Sequence, residues 1–199
     1  MPRTQEERRT ETRTKLLDAT VDSLAEVGLA ATTSRRINEL AGVSSGAQTH
    51  YFPRRADLLG AAVERLAERR IAELRELAED FPSDPAKRLA IMLDLIWADF
   101  NSSTFVVFVK LWVAAADDPE LHERLIPVER RITETMSSLS TEVLGSEFTR
   151  RPDWGKRVNV AMTAVRGLAL TEHFEPRGRR RRDPWPDMRA TLLEMLLAE

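Results

Sequence analysis

The stretch Thr32–Tyr51, TTSRRINELAGVSSGAQTHY, constrains the chain more than any other. Thr33 or Ser34 suits a helix N-cap, where a hydroxyl accepts a hydrogen bond from a free backbone N–H. Ile37, Leu40 and Ala41 then recur at helical spacing, which predicts one inward face. Gly42 follows at once, and glycine is the residue that ends helices in the left-handed conformation. Val43 is the one apolar residue of the turn. Ser44 is a second cap, and Ser45–His50 makes a second helix of under two turns. Tyr51, Phe52 and Pro53 close it. Helix, glycine turn and helix within twenty residues form the helix-turn-helix pattern, whose second helix enters the DNA major groove.

The residues after the second cap fit that use. Ser45, Gly46, Ala47, Gln48 and Thr49 are small or polar, and His50 and Tyr51 follow. Small residues let a helix sink into the groove, and a glutamine there can pair with adenine through two hydrogen bonds. Thr33, Arg36, Ser44, Tyr51 and Arg55 are expected at phosphates, partly through helix N-termini.

On these residues the segment resembles the DNA-binding domain of the TetR family of bacterial transcriptional regulators. The resemblance rests on Thr33, Ile37, Ala41-Gly42-Val43-Ser44, Gly46, Tyr51-Phe52-Pro53 and Leu58, and it covers about Arg9–Leu66. The chain departs from the family pattern at four places. The family commonly has an apolar residue and then a phosphate-gripping tyrosine where Gln48 and Thr49 stand. It often has alanine at the place of Asn38 and lysine at the place of Arg55. The resemblance implies a helix-turn-helix domain over residues 9–66 and a C-terminal helical ligand-binding and dimerisation domain over 67–199. It also implies double-stranded operator DNA and a small-molecule inducer as partners.

Hydrophobic patterning along the chain gives the same all-α class. Met1–Arg8 reads as a mobile polar arm, and a helix runs from about Arg9 to Val27, with Leu17, Val21 and Leu24 on one face and Gly28 at its end. Helices follow over Ala56–Asp80, with Leu74 and Leu77 turned inward, and over Pro85–Phe100, Thr104–Ala116 and Pro119–Leu144. Two more cover Pro152–Phe174 and Pro186–Ala198, so about nine helices are expected. Phe81-Pro82-Ser83-Asp84-Pro85 is the natural junction between domains.

Trp97, Phe100, Phe105, Phe108 and Trp112 crowd two consecutive helices. Core filling accounts for most of them, yet with Met136, Met162 and His173 they also form a candidate lining for an apolar or aromatic effector. In Pro152–Phe174 apolar residues run nearly all round, which predicts burial on more than one side. Ala164, Gly167 and Thr171 stack as a small-residue stripe there. With Leu192 and Met195 of the last helix they predict a homodimer built on four helices.

Composition removes other classes. The chain of 199 residues has no cysteine, so neither disulfides nor thiol chemistry are available. Its net charge is −2, with 9 Lys/Arg against 8 Asp/Glu up to Gly60, so a DNA surface must come from placement. Gly42-Val43-Ser44-Ser45-Gly46 spells a nucleophile elbow, but that motif needs a strand before the serine, and here a helix precedes it. Three histidines without an i,i+4 pair argue against a metal, and no phosphate-binding glycine motif calls for a cofactor. The start of the chain is charged, and no apolar run approaches the roughly 20 residues of a bilayer span, so a cytoplasmic location and no membrane partner are expected. Arg177 and Arg179–Arg182 read as a solvated loop, and Arg3, Arg8, Arg9 and Arg13 as a solvated face. The reading is a non-enzymatic, ligand-responsive repressor that binds a pseudo-palindromic operator. A helical small-molecule-binding protein or enzyme with a vestigial DNA-binding unit is the alternative, and a structural DNA binder without an effector a third.

Overall fold

The structure is a computed structural model and describes residues 4–174 and 183–198. Arg3, Arg177 and Arg179–Arg182 lie outside the described residues. Ten helical elements and no strand occur among the described ones. Nine match the expected helices, and the tenth is one turn, as the ranges below show.

Helix α1 (Gln5–Ala31) starts earlier than the expected arm allows. Thr4 Oγ1 accepts from the Glu7 N–H at 3.2 Å, and the Glu7 carboxylate accepts from the Thr4 N–H at 2.8 Å. This reciprocal capping box orders the first turn, so residues 5–8 are helical and not an arm. Gly28, at φ 76° and ψ 177°, breaks the helix where expected, and one further turn reaches Ala31. Helices α2 (Ser34–Ala41) and α3 (Ser45–Tyr51) form the helix-turn-helix, and α4 (Arg55–Glu79) follows. Helix α5 (Pro85–Phe100) is capped by Asp84, whose carboxylate accepts from the Ala86 and Lys87 N–H groups. Then come α6 (Ser103–Asp117), α7 (Pro119–Leu144) and the single turn α8 (Ser146–Thr149). Helices α9 (Trp154–Phe174) and α10 (Trp185–Leu197) complete the chain.

The chain divides into two compact units. One comprises the chain up to Glu73 together with Val106–Thr135. The other comprises Leu74–Phe105 together with the chain from Met136 onward. Helices α4, α6 and α7 therefore each contribute residues to both.

The first unit has two apolar cores. Leu16, Leu17, Ile37, Phe52, Leu58 and Ala62 hold the helix-turn-helix against α1 and α4. Leu24, Leu59, Val63, Leu111, Leu121 and Leu125 join α1 and α4 to α6 and α7. Polar contacts extend this second packing. Asp57 accepts two hydrogen bonds from Arg54, each 3.0 Å, and pairs with Arg124 of α7 at 3.3 Å. Arg124 lies so close that a Cβ at Gly60 would sit 2.8 Å from its Cγ, so glycine at 60 is what admits it. Asp18 of α1 takes both ends of the Arg65 fork at 2.7 and 3.1 Å.

The second unit packs Leu89 and Leu93 of α5 against Phe148, Trp154, Val165, Trp185 and Leu196. Asp94 accepts from Trp185 Nε1 at 3.0 Å and from both arms of Arg189 at 2.7 and 2.9 Å, which ties α5 to α10. Two expected inward residues face water instead: Leu40 is 50% exposed and Leu77 is 46% exposed.

Leu111 is 1% exposed at the centre of its core, whereas Val113, two residues on, is 67% exposed. Leu111→Ala is expected to cost about 2–5 kcal/mol through lost contacts and the cavity left behind, and Val113→Ala less than about 0.5 kcal/mol; urea unfolding of both variants measures the difference. The hydrogen bond from Arg54 above all holds the Asp57 carboxyl below its usual range, against the opposing effect of burial. A folded pKa below the unfolded one gives stabilisation that is complete above about pH 4 and is lost as the pH falls through the folded value. Thermal unfolding of Asp57→Asn should therefore show a lower midpoint than wild type at pH 7, with the gap closing in acid.

Candidate nucleic-acid interface

Two short helices are fixed here by local chemistry at each end. Thr33 Oγ1 accepts from the Arg36 N–H at 3.2 Å and opens α2. Gly42 adopts φ 65° and ψ 36°, the left-handed conformation that costs other residues a clash, and its N–H returns to the Asn38 carbonyl. Ser44 Oγ accepts from the Ala47 N–H at 3.2 Å and opens α3. Phe52 ends α3 and inserts into the core with Leu16, Ile37 and Leu58.

One side of α3 faces outward. Ser44, Ser45, Gly46, Thr49 and His50 are exposed, and Ala47 and Tyr51 are half-buried. Thr49 Oγ1 donates to its own helix at Ser45 O, and the His50 ring stands edge-on to Tyr51 at 5.2 Å.

Gln48 departs from the expectation that it faces DNA. It is 7% exposed, and its Nε2 donates to Ser34 Oγ on α2 at 3.2 Å. Asn38, 8% exposed, donates from Nδ2 to Ser45 Oγ at 3.3 Å. The α2–α3 contact is therefore partly polar. Asn38 Oδ1 and Gln48 Oε1 are buried with no hydrogen-bond partner. The sequence carried a signal for this: Ser34 and Asn38 are four apart on one helix, and Ser45 and Gln48 three apart on the other.

Two expected phosphate contacts also turn toward protein. The Arg36 guanidinium donates to Ser23 Oγ at 3.1 Å and to the Glu26 carboxylate at 2.6 Å. Arg55 Nη2 donates to the carbonyls of Leu29 at 2.8 Å and Thr32 at 3.2 Å, stapling the end of α1. Arg35, which sequence reasoning passed over, extends outward with its side chain 88% exposed and meets only Glu39 of its own helix.

The residues expected to line one effector pocket are divided. Phe108 and Trp112 pack against the Leu111 core of the first unit. In the second unit Trp97 stacks on Trp185, rings 4.8 Å apart and 3° from parallel. Phe100 tilts against Phe105 at 4.7 Å, and Phe105 meets the His173 ring edge at 6.3 Å. Met162 is half-buried on α9. Met136 lines an apolar cavity of about 30 Å³ with Leu74, Ala78, Met92 and Ile96. That space is no larger than a water molecule, far below the roughly 300–1,000 Å³ of a site for a drug-sized ligand.

The expected dimer residues divide likewise. Gly167 and Thr171 are exposed on α9, next to Val160 at 54% exposure, and nothing lies within 4 Å of a Cβ built on Gly167. Ala164 and Met195 are half-buried against the core of their own unit. Leu192 is 3% exposed inside that core and is not available to a partner, because α10 turns its Leu192–Leu196 side inward against α5 and α9.

Residues 16–62, which run from α1 through the helix-turn-helix into α4, match the family model of bacterial regulatory proteins, tetR family. The chain is 35% identical over 169 residues to the HTH-type transcriptional regulator CymR of Pseudomonas putida, covering 84% of this chain and 82% of that one. It is 31% identical over 166 residues to the HTH-type transcriptional regulator BetI of Yersinia pestis, covering 81% and 83%. Among solved structures, the multidrug binding protein EbrR complexed with ethidium shares the fold, with a TM-score of 0.66 at 19% identity over 92% of this chain and 97% of that one. A helix-turn-helix capped at both starts, matched by the family model over its core and carried in a chain that is 35% identical to a known regulator over 169 residues, leads to one assignment: the chain belongs to the TetR family and is a DNA-binding transcriptional regulator.

Proposed function

We propose that this regulator is a homodimeric repressor that holds a pseudo-palindromic operator and leaves it when an apolar or planar aromatic ligand binds. The observation that carries the reading is the outward face of α3, where Ser45, Gly46, Thr49 and His50 stand exposed on a helix whose other side is locked to α2. Thr49 and His50 would read base edges. Phosphates would be taken by Arg35, by Tyr51 and by the N-terminal amides of α2 and α3 beside Thr33 and Ser44. Arg36 and Arg55, paired within the protein, serve mainly to hold α2 and α4 to α1. The reading includes no catalytic step and places the protein with the DNA in the cytoplasm.

Two copies would pair through the exposed stripe of α9 around Val160, Gly167 and Thr171, with the exposed side of α10 completing a four-helix contact. Half-sites would then lie about 34 Å apart. An effector site in the second unit is supported by the small apolar cavity at Met92, Ile96 and Met136, which would have to open to admit a ligand. The fold neighbour EbrR, crystallised with ethidium, makes a planar aromatic ligand a reasonable class to test. Coupling has a direct covalent route. Helix α4 begins at Arg55, three residues after the Phe52 that caps α3, and its Leu74 and Ala78 line the cavity. Moving the DNA-competent fraction from 99:1 to 1:99 needs about 5.5 kcal/mol of differential binding.

Gel retardation of the DNA upstream of the chain's own gene, with excess competitor, tests the DNA reading. A specific shift is expected. Arg35→Ala should weaken all sequences alike and reduce the salt slope by about one, whereas His50→Ala should change which bases are tolerated. A shift of every fragment alike would point instead to a structural DNA binder. For the effector, a planar aromatic compound that does not intercalate should alter tryptophan fluorescence and release the operator over one concentration range. Met136→Trp, which fills the cavity, should abolish both responses and spare operator binding. Sedimentation of Gly167→Arg should give monomers where wild type gives dimers.

A further inference from the structure

Among the described residues, the polar contact between α2 and α3 has no role in the packing that an apolar residue would not fill more cheaply. Gln48 and Asn38 are more than nine-tenths buried, yet each leaves one carbonyl oxygen without a partner. Buried amides so placed weaken a contact relative to an apolar side chain of similar size.

A hydrogen bond supplies what apolar packing lacks, namely direction. Helix α3 has seven residues, too few to hold its own conformation, so its seating is set by what it touches. Gln48 to Ser34 and Asn38 to Ser45 are two separate links between α2 and α3, one from each helix to the other. One link meets α2 at its first residue, Ser34, and the other leaves it one turn later at Asn38, so together they resist both rotation and sliding of α3. A rotation of one residue, about 100° on a helix of 3.6 residues per turn, would replace Thr49 and His50 on the outward face.

We propose that Gln48, through Ser34, is a positioning residue that sets the seating of the recognition helix on α2 and thereby the base preference of the protein, without touching DNA itself. The proposal rests on the DNA-binding reading of α3 and assigns its specificity partly to a buried side chain.

The test begins with full-length wild type and a pool of duplexes carrying a randomised central segment. Enrichment of a palindromic site establishes the DNA reading. Absence of any enrichment would defeat that reading, and the proposal with it. The enriched site and an unrelated duplex are then titrated with Gln48→Leu, Ser34→Ala, the double variant and the conservative Ser34→Thr. The discrimination between the two duplexes should fall about tenfold in each of the first two variants, comparable to losing one well-read base pair. The double variant should lose no more than either single one, because both remove the same link. Ser34→Thr, which keeps the hydroxyl, should retain wild-type discrimination. Affinity for the unrelated duplex should not change. Ser34 is exposed, so Ser34→Ala keeps the experiment informative even where Gln48→Leu fails to fold. Three results would overturn the proposal while leaving the DNA reading intact: loss of preference at one base pair with Gln48→Leu while Ser34→Ala is silent, which is direct reading; additive losses; or a changed melting temperature with unchanged discrimination, which is packing alone.

Discussion

A recognition helix of seven residues cannot fold by itself, and this constraint shapes the first unit. An isolated helix shorter than about 12–15 residues is marginal in water because its first turn costs more than it returns. Helix α3 is therefore held from outside. Ser44 fixes its start, Phe52 anchors its end in the core, and Gln48 ties its middle to α2. Helix α2 is only eight residues long and depends in turn on Thr33, on the left-handed turn at Gly42 and on the burial of Ile37. The longer α1 and α4 supply the rigid floor, clamped together by the Asp18–Arg65 pair and the leucines beside it.

Three longer helices carry the chain out of this unit. The docking of α7 on α4 shows how closely the first half of a C-terminal helix can serve the DNA-binding part. Asp57 collects Arg54 and Arg124, Arg54 also reaches Glu120, and Gly60 leaves room for the Arg124 stem. Helices α4, α6 and α7 continue into the second unit, where Leu74 and Ala78 of α4 and Met136 of α7 line the small cavity.

The aromatic residues illustrate how one sequence cluster can serve two structures. Trp97, Phe100 and Phe105 enter stacks that close with Trp185 and His173 from helices far along the chain. Phe108 and Trp112 lie on the same short run of sequence but fall in the other core. Aromatic density thus marked two packed interiors, and a small apolar void lies beside Met136 in the second. Helix α9 behaves in the opposite way. Its apolar residues go all round, and the structure buries Ala161, Val165 and Ala169 while leaving Val160 exposed.

What the sequence determined by itself was local. Capping hydroxyls, a left-handed glycine, prolines and helical periodicity act over three or four residues, so the all-helical class, the place of the helix-turn-helix and the breaks at Gly28, at Phe81–Pro85 and between Phe100 and Thr104 are legible in the sequence. The capping box at Thr4 is equally local, but it stands among charged residues with no apolar face beside it to mark a helix. What only the tertiary structure decided was which side of each helix faces in. In α3 fewer than two turns are present, so periodicity cannot choose a face. A polar Gln48 goes inward because Ser34 is there to receive it. Leu40 and Leu77 go outward, and Leu192 goes inward because α5 and α9 cover it. Arg36 and Arg55 are equally charged in any conformation. Only the approach of Glu26 and of the carbonyls of Leu29 and Thr32 turns them from candidate phosphate contacts into internal staples. Such choices depend on partners distant in sequence, and a local pattern carries no information about them.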